Sequence, residues 1–322
     1  MNRDEFRSTL NTWGRDKVPF LFAVDFEMEK PLVWRREEIN PDKIKYDVRG
    51  TTNVSGTERV GKIELEKLPI AIEDYQERFH TVMKYLAYGD SFLTNLTVKS
   101  EIKINQSLTH LFDQCKAPYK LYLKDQFLVF SPETFIQIKE NRIFSFPMKG
   151  TIDGNIPHAE RIILNDQKEL SEHVTIVDLI RNDLSLVSSH VEVKRFRYVE
   201  EIKTTGKNLL QVSSEIVGEL PADYLSHLGD ILVALLPAGS ISGAPKRKTI
   251  EIIKEAEKEK RGYYTGVFGY FDGQNLDSGV MIRFIEQEEN MFFYRSGGGI
   301  TTQSSLESEY QEVIDKIYVP VN

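Results

Sequence analysis

The sequence predicts an α+β fold with antiparallel sheets. Strand-like runs and helix-like runs fall in separate blocks, without the strict β-α-β-α alternation that builds a doubly wound parallel sheet. No G-x-G-x-x-G joins a strand to a helix and no G-x-x-x-x-G-K-[ST] occurs, so dinucleotide and P-loop nucleotide chemistry have no support. No repeat or low-complexity linker divides the 322 residues, and one domain spanning 1–322 is expected.

PFLFAVDF (19–26) reads as the first strand and is followed by a polar stretch containing Gly50 and Gly56. Apolar residues at helical spacing cover 71–88, and Gly89-Asp90 stops that helix before the short apolar strand SFLTNLTV. Residues 119–147 read as four consecutive strands, KLYL, QFLVF, TFIQI and RIFSF, separated by Lys-Asp, Ser-Pro-Glu and Glu-Asn turns. Helices are expected over 158–170 and 171–187, strands over 190–203, and helices from 205 to about 235. A proline-started helix runs from Pro245 to about 260. Strands over 264–271, 279–286 and 291–296 and a helix over 305–318 close the chain.

Composition narrows the function. Lys and Arg number 41 against 49 Asp and Glu, a net charge of −8, so the basic stripe that nucleic acid requires is missing. Forty per cent hydrophobic residues, with 18 Phe and 14 Tyr, supply a large core. A single cysteine, Cys115, excludes a disulfide framework and a thiolate zinc site, and fits a reducing compartment. The first residues have no apolar signal-like stretch, and no run approaches the ~18 apolar residues of a membrane span. A cytoplasmic protein that engages neither membrane nor nucleic acid is expected.

Three groups of residues could carry chemistry. Glu169 and Glu172 are three apart in KELSEH, as are Glu309 and Glu312 in ESEYQEV, with Lys316 four residues further on. Such pairs share a helix face, and two faces brought together would offer oxygen ligands suited to a hard cation such as Mg²⁺. Solvated helix faces would give the same spacing. The strand end RIFSFPMKGT alternates Phe144, Phe146 and Met148 against Ser145, Pro147 and Lys149, with Gly150 leaving room for a close approach. A lysine there, if partly desolvated, can act as a nucleophile or base; otherwise it is an exposed strand end. SGGGI (296–300) and PAGSISGAPK (237–246) present backbone N–H groups that can hold carboxylate oxygens, or are ordinary turns. FDGQNLD (271–277) lacks EF-hand spacing and reads as a hairpin turn. His173 is expected to face away from the acidic side of its helix, and Arg181-Asn182-Asp183 to serve in capping and ion pairs.

Taken together, SPETF (131–135), PMKGT (147–151), SEHVTIVDLIRNDL (171–184), GSISGAPKRKTIEII (239–253), RGYYTGVFGYFDG (261–273), MIRF (281–284), SGGGI (296–300) and ESEYQEVIDK (307–316) resemble the chorismate-utilising enzymes. That family includes the anthranilate, aminodeoxychorismate, isochorismate and salicylate synthases. The motifs stand in the family's order across about 119–318. The resemblance implies two large, mostly antiparallel sheets packed together and flanked by helices, with the site in a cleft between sheet edge and helices.

Lysine after Pro-Met, here Lys149, is similar to aminodeoxychorismate synthase component I, where anthranilate synthases carry alanine. The resemblance implies that Lys149 attacks C2 of chorismate as the 4-hydroxyl leaves, that Glu133 protonates that hydroxyl, and that ammonia then enters at C4. It implies Mg²⁺ on Glu172 and Glu312, with Glu169 and Glu309 holding its waters. Arg283 and Lys316 would bind the enolpyruvyl carboxylate with Gly298, Gly299 and Tyr264. Ser242 and Gly243 would line the ring side, and Thr151 completes the P-x-x-G-T motif beside Lys149. Leu93 stands where the water-using branch has a lysine base, and Gln211 where the family commonly has a histidine. Residues 1–70 form a shortened N-terminal region, so tryptophan feedback is not expected. Cys115 has no nucleophile-elbow context, so no glutaminase is expected in this chain, and the resemblance implies ammonia from a separate class I glutaminase subunit. Anthranilate synthase, an isochorismate-type synthase and a non-catalytic chorismate-binding subunit are the alternatives.

Overall fold

A computed structural model describes residues 1–54, 61–203 and 208–320. Gly56 and the start of the helix expected from 205 lie outside them. The first third contains α1 (Arg3–Arg15), β1 (Phe20–Val24), β2 (Leu32–Arg35), β3 (Ile44–Val48), β4 (Thr51–Thr52), β5 (Leu65–Leu68) and α2 (Ile72–Tyr88). Then come β6 (Leu93–Ile104), α3 (Leu108–Gln114), β7 (Tyr119–Leu123), β8 (Phe127–Ser131), β9 (Thr134–Lys139), β10 (Arg142–Ser145) and β11 (Met148–Asp153). The middle holds α4 (Ala159–Asn165), α5 (Gln167–Ser185), β12 (Ser189–Lys203), β13 (Asn208–Glu219) and α6 (Leu228–Leu235). Last are β14 (Gly243–Ala244), α7 (Lys246–Glu257), β15 (Val267–Phe271), β16 (Leu276–Val280), β17 (Phe284–Glu288), β18 (Met291–Ile300) and α8 (Leu306–Asp315).

The strands form two antiparallel sheets. One runs β11-β13-β10-β9-β16-β15-β1-β2 with β12 beside β13; the other runs β14-β6-β18-β17-β8-β7-β3-β4 with β5 beside β6. The α+β class with two large antiparallel sheets stands as expected.

β1 shows how the layers assemble. Its five residues FLFAV are all buried, because alternate side chains serve different cores. Phe20, Phe22 and Val24 join the cluster beneath α1, α5 and α6, while Leu21 and Ala23 face the second sheet among Tyr46, Tyr119, Phe268 and Tyr270. Two further clusters lie on the other side of the second sheet, one under α3 and one between β6, α2, α7 and α8. The stretch Tyr224–Ile241, apolar enough to resemble a span, is 67% buried within this core.

Three boundaries differ from expectation, the simplest being the strand expected over 279–286, which is divided between β16 and β17. Residues 208–219 form β13, paired with β12 on one side and with β10 and β11 on the other, so helix begins only in the 3-10 turn at Tyr224. The helix expected to divide at 170 divides at Asp166 instead, whose side chain accepts the backbone N–H of Glu169 and caps α5. Glu169 and Glu172 therefore share one uninterrupted helix.

Candidate active site

β18 lays the floor. Its Gly298 and Gly299 pair with Leu96 and Asn95 of β6, and their missing side chains leave room for what packs above. A Cβ on Gly298 would stand 3.3 Å from both Glu309 Oε2 and Glu312 Oε1; one on Gly299 would stand 3.3 Å from Lys149 Nζ. The same Gly299 position lies 3.0 Å from Leu93 Cδ1. A strand of one sheet thus passes under carboxylates from α8 and a lysine carried by β11 of the other sheet.

Lys149 Nζ also approaches Glu172 Oε2 on α5 at 3.7 Å and is 22% exposed, so it does not point into bulk solvent. Gly150 follows with φ +83°, a left-handed backbone natural to glycine, and a Cβ there would meet Glu169 Oε2 at 3.1 Å. The four glutamates of the two helical pairs converge on this region. Burial raises the acid of Glu169, and the charge of Glu172 adds to it. Burial raises Glu309 likewise, with Glu312 and Glu172 adding and a 2.6 Å hydrogen bond from Ser304 Oγ opposing. Four oxygen donors with no thiolate or imidazole suit a hard divalent ion. Among the described residues no three acidic, histidine or cysteine side chains are already drawn into a ligand cluster.

The far end of the cleft is positive. Lys316 Nζ donates to Gly297 O at 2.8 Å and pairs with Glu312 at 2.6 Å. Burial lowers its pKa, and the nearby charges of Lys149 and Arg283 lower it further. Glu312 resists a burial effect in the other direction and stays below its ordinary value, held there by Lys316, Lys149 and Lys168. Lys149 and Arg283 thus add positive charge around Lys316, while Glu312 offsets part of it. Arg283 adopts a left-handed backbone (φ 54°) with its carbonyl accepting Phe130 N–H, and its Nε donates to Tyr318 Oη at 3.1 Å.

Glu133 sits in the turn between β8 and β9, fixed by its carbonyl accepting Val280 N–H and its own N–H donating to Ser131 Oγ. Ser240, in the 3-10 turn Gly239–Ile241, donates a hydrogen bond to its carboxylate. Burial raises the Glu133 acid, opposed by Ser240 and by the charges of Lys149, Arg283 and Lys316. The acid side chain and the lysine thus share one electrostatic field.

Other expected residues lie differently. Thr151 is exposed on β11, opposite Gln211. Ser242 is fully buried and its hydroxyl donates back into its own turn, to Ala238 O and Gly239 O. Gly243 packs so closely on β6 that a Cβ would lie 2.0 Å from Leu93 O. Tyr264 is buried with its ring edge-on to Phe284, and burial pushes its hydroxyl up to about 12. His173 is buried behind the acidic face, Nε2 2.7 Å from Ser214 Oγ, and burial lowers it to about 4. Of the run Arg181-Asn182-Asp183, expected in capping and ion pairs, Asp183 is buried in an ion pair with Lys246 Nζ at 2.6 Å. Two further residues reach the site: Ser240, inside GSISGAPK, and Lys168, one helical turn before Glu172. A cleft of about 790 Å³ leads outward from Lys168 and Glu172 along α5, walled by Phe92, Leu93 and Thr301–Gln303.

Several proteins are similar to this chain in sequence, and one solved structure is similar in fold. An uncharacterised PabA-like protein of Haemophilus influenzae is 49% identical over 316 residues, 98% of this chain and 96% of the relative. Anthranilate synthase component 1 of Aquifex aeolicus is 31% identical over 95% of this chain and 64% of its own length. Aminodeoxychorismate synthase component 1 of Salmonella typhimurium is 34% identical over 76% of this chain, which spans 56% of that relative. The menaquinone-specific isochorismate synthase of Escherichia coli has the same fold, with a TM-score of 0.75 at 15% identity over 98% of this chain and 81% of that one. The family model for chorismate binding enzymes matches residues 25–322, and the chain belongs to that family.

Proposed function

We propose that the chain is an aminodeoxychorismate synthase component I, converting chorismate and ammonia to 4-amino-4-deoxychorismate and water. The observation that carries this reading is the position of Lys149 Nζ against Gly299 and 3.7 Å from Glu172, with its charge acting on the acid of Glu133. The amine of Lys149 attacks C2 of the ring, the two conjugated ring double bonds shift to C1–C6 and C4–C5, and the C4–O bond breaks as Glu133 gives its proton to the departing hydroxyl. Ammonia then bonds to C4, both double bonds return to their first positions, and the C2–N bond to Lys149 breaks. Ammonia loses one proton in this exchange, which restores Glu133. Covalent catalysis divides one hard displacement into two easier ones.

Glu172 and Glu312 would hold Mg²⁺, with Glu169 and Glu309 orienting its waters. The ion supplies charge neutralisation for a ring carboxylate when bound. Arg283 and Lys316 would bind the enolpyruvyl carboxylate at the positive end. Leu93, a hydrocarbon beside Lys149 at the floor, has no basic group with which to activate water, and this disfavours an isochorismate-type outcome.

Ammonia would come from a partner. Cys115, the sole cysteine, is buried and its thiol is pushed up to about 12, so it cannot serve as a glutaminase nucleophile. A class I glutaminase subunit would fill that role.

The test is an incubation of purified protein with chorismate, Mg²⁺ and ammonium, resolved by chromatography. The expected product is 4-amino-4-deoxychorismate, formed only with ammonium. Fluorescent anthranilate would assign the chain to the anthranilate synthases, a reading favoured by the coverage of the Aquifex relative. Isochorismate formed without ammonium, or binding without turnover, would equally overturn the proposal.

A further inference from the structure

The two acidic helices are bridged by a residue with no assigned role. Lys168 extends from the first turn of α5, with Nζ 3.9 Å from Glu172 Oε1 on its own helix and 3.8 Å from Glu309 Oε1 on α8. Glu309 is 2% exposed and its acid is raised partly by Glu312 and Glu172, so the helices meet across mutually repelling carboxylates. Lys149 also reaches Glu172, but from below, on a strand. Lys168 comes from the solvent side, is 42% exposed, and lines the outer cleft, so it can swing away without crossing the core.

We propose that Lys168 is a built-in counter-ion, which holds the α5 and α8 carboxylates together in the metal-free protein and is displaced when a divalent cation binds them. This rests on the assignment of Glu172 and Glu312 as metal ligands. An ammonium about 4 Å from two of the acids stabilises the empty site and opposes the entry of a second positive charge. The two consequences have opposite sign: the lysine favours the metal-free fold and weakens the metal. An ordinary surface ion pair would contribute little to either.

The test compares wild type, K168M, K168R and E172Q without substrate, using Mg²⁺ calorimetry and thermal unfolding with and without Mg²⁺. K168M is expected to melt lower than wild type without Mg²⁺, to regain the difference when Mg²⁺ is added, and to bind Mg²⁺ about tenfold more tightly, a partly screened fraction of the pair attraction. K168R, which keeps the charge, should follow wild type in both measurements. E172Q should weaken Mg²⁺ binding, which places the ion. If Mg²⁺ fails to bind wild type, or binds E172Q equally well, the metal assignment falls and this inference with it. If E172Q loses the ion while K168M binds it no more tightly than wild type, only the role of Lys168 is overturned.

Discussion

At Glu133 two opposing effects meet on a single carboxyl. Burial favours the neutral acid, whereas the Ser240 hydroxyl and three nearby cations favour the anion. In the proposed role as proton donor to a leaving hydroxyl, Glu133 would have to be protonated before the reaction and release its proton during it, and the two opposing effects bear on these two demands. Ser240→Ala removes a donor to the charged form, so the acid of Glu133 rises further. The alkaline limb of the kcat/KM profile, where Glu133 loses its proton, should then move to higher pH, with a loss of about tenfold at the wild-type optimum. A pH-rate profile checks this, and an unmoved alkaline limb would remove Ser240 from the tuning of Glu133. Motif order alone located Glu133. It could not locate Ser240, because a serine in a Gly-Ser-rich turn has no spacing signature, and its partner lies more than a hundred residues away in sequence.

At the level of elements, α5 does two kinds of work along one inner face. Its first turns carry Glu169 and Glu172 to the cleft, and the later turns of the same inner face bury Ile176, Ile180 and Leu184 in the core. Asp183 closes that inner face by pairing with Lys246, whose Nζ also donates to Leu235 O, tying α5 to α7 and to the end of α6. Lys246→Met strands a buried carboxylate and should cost about 3 kcal/mol in denaturant unfolding, while Asp183→Asn together with Lys246→Met should recover much of it. Equal stabilities for the single and double variants would show that the pair is not coupled.

Local reading succeeded where one element's periodicity decides its own state, as in 71–88 and 119–139. It failed at 208–219, where Leu, Val and Ile among polar residues fit a helix, yet three other strands supply hydrogen-bonding partners. α1 escaped notice although Asn2 and Glu5 form a capping box, with Asn2 Oδ1 accepting the N–H groups of Asp4 and Glu5. The carboxylate pairs were legible as helix faces. That they converge was not, because α5 and α8 are more than a hundred residues apart.

Across the whole molecule, the cleft exists because the sheets bring together segments from the middle and the C-terminal part of the chain. Arg261, 1% exposed, secures one side of this junction: it pairs with Glu257 of α7, donates to Asn95 O on β6 and to Ile241 O beside Ser240. Lys149 comes from β11 of one sheet, Gly299 from β18 of the other, and Glu172 from a helix beside both. Such a convergence can make an exposed-looking strand-end lysine into a nucleophile, and the proposed chemistry requires a bond between that amine and the substrate ring.

Intact-protein mass spectrometry of the enzyme with chorismate and Mg²⁺, in the absence of ammonium, tests that bond directly. The account predicts an added mass of chorismate less one water, mapped to Lys149, discharged on adding ammonium and lacking in Lys149→Ala. No adduct under these conditions, together with undiminished amination by Lys149→Ala, would contradict it.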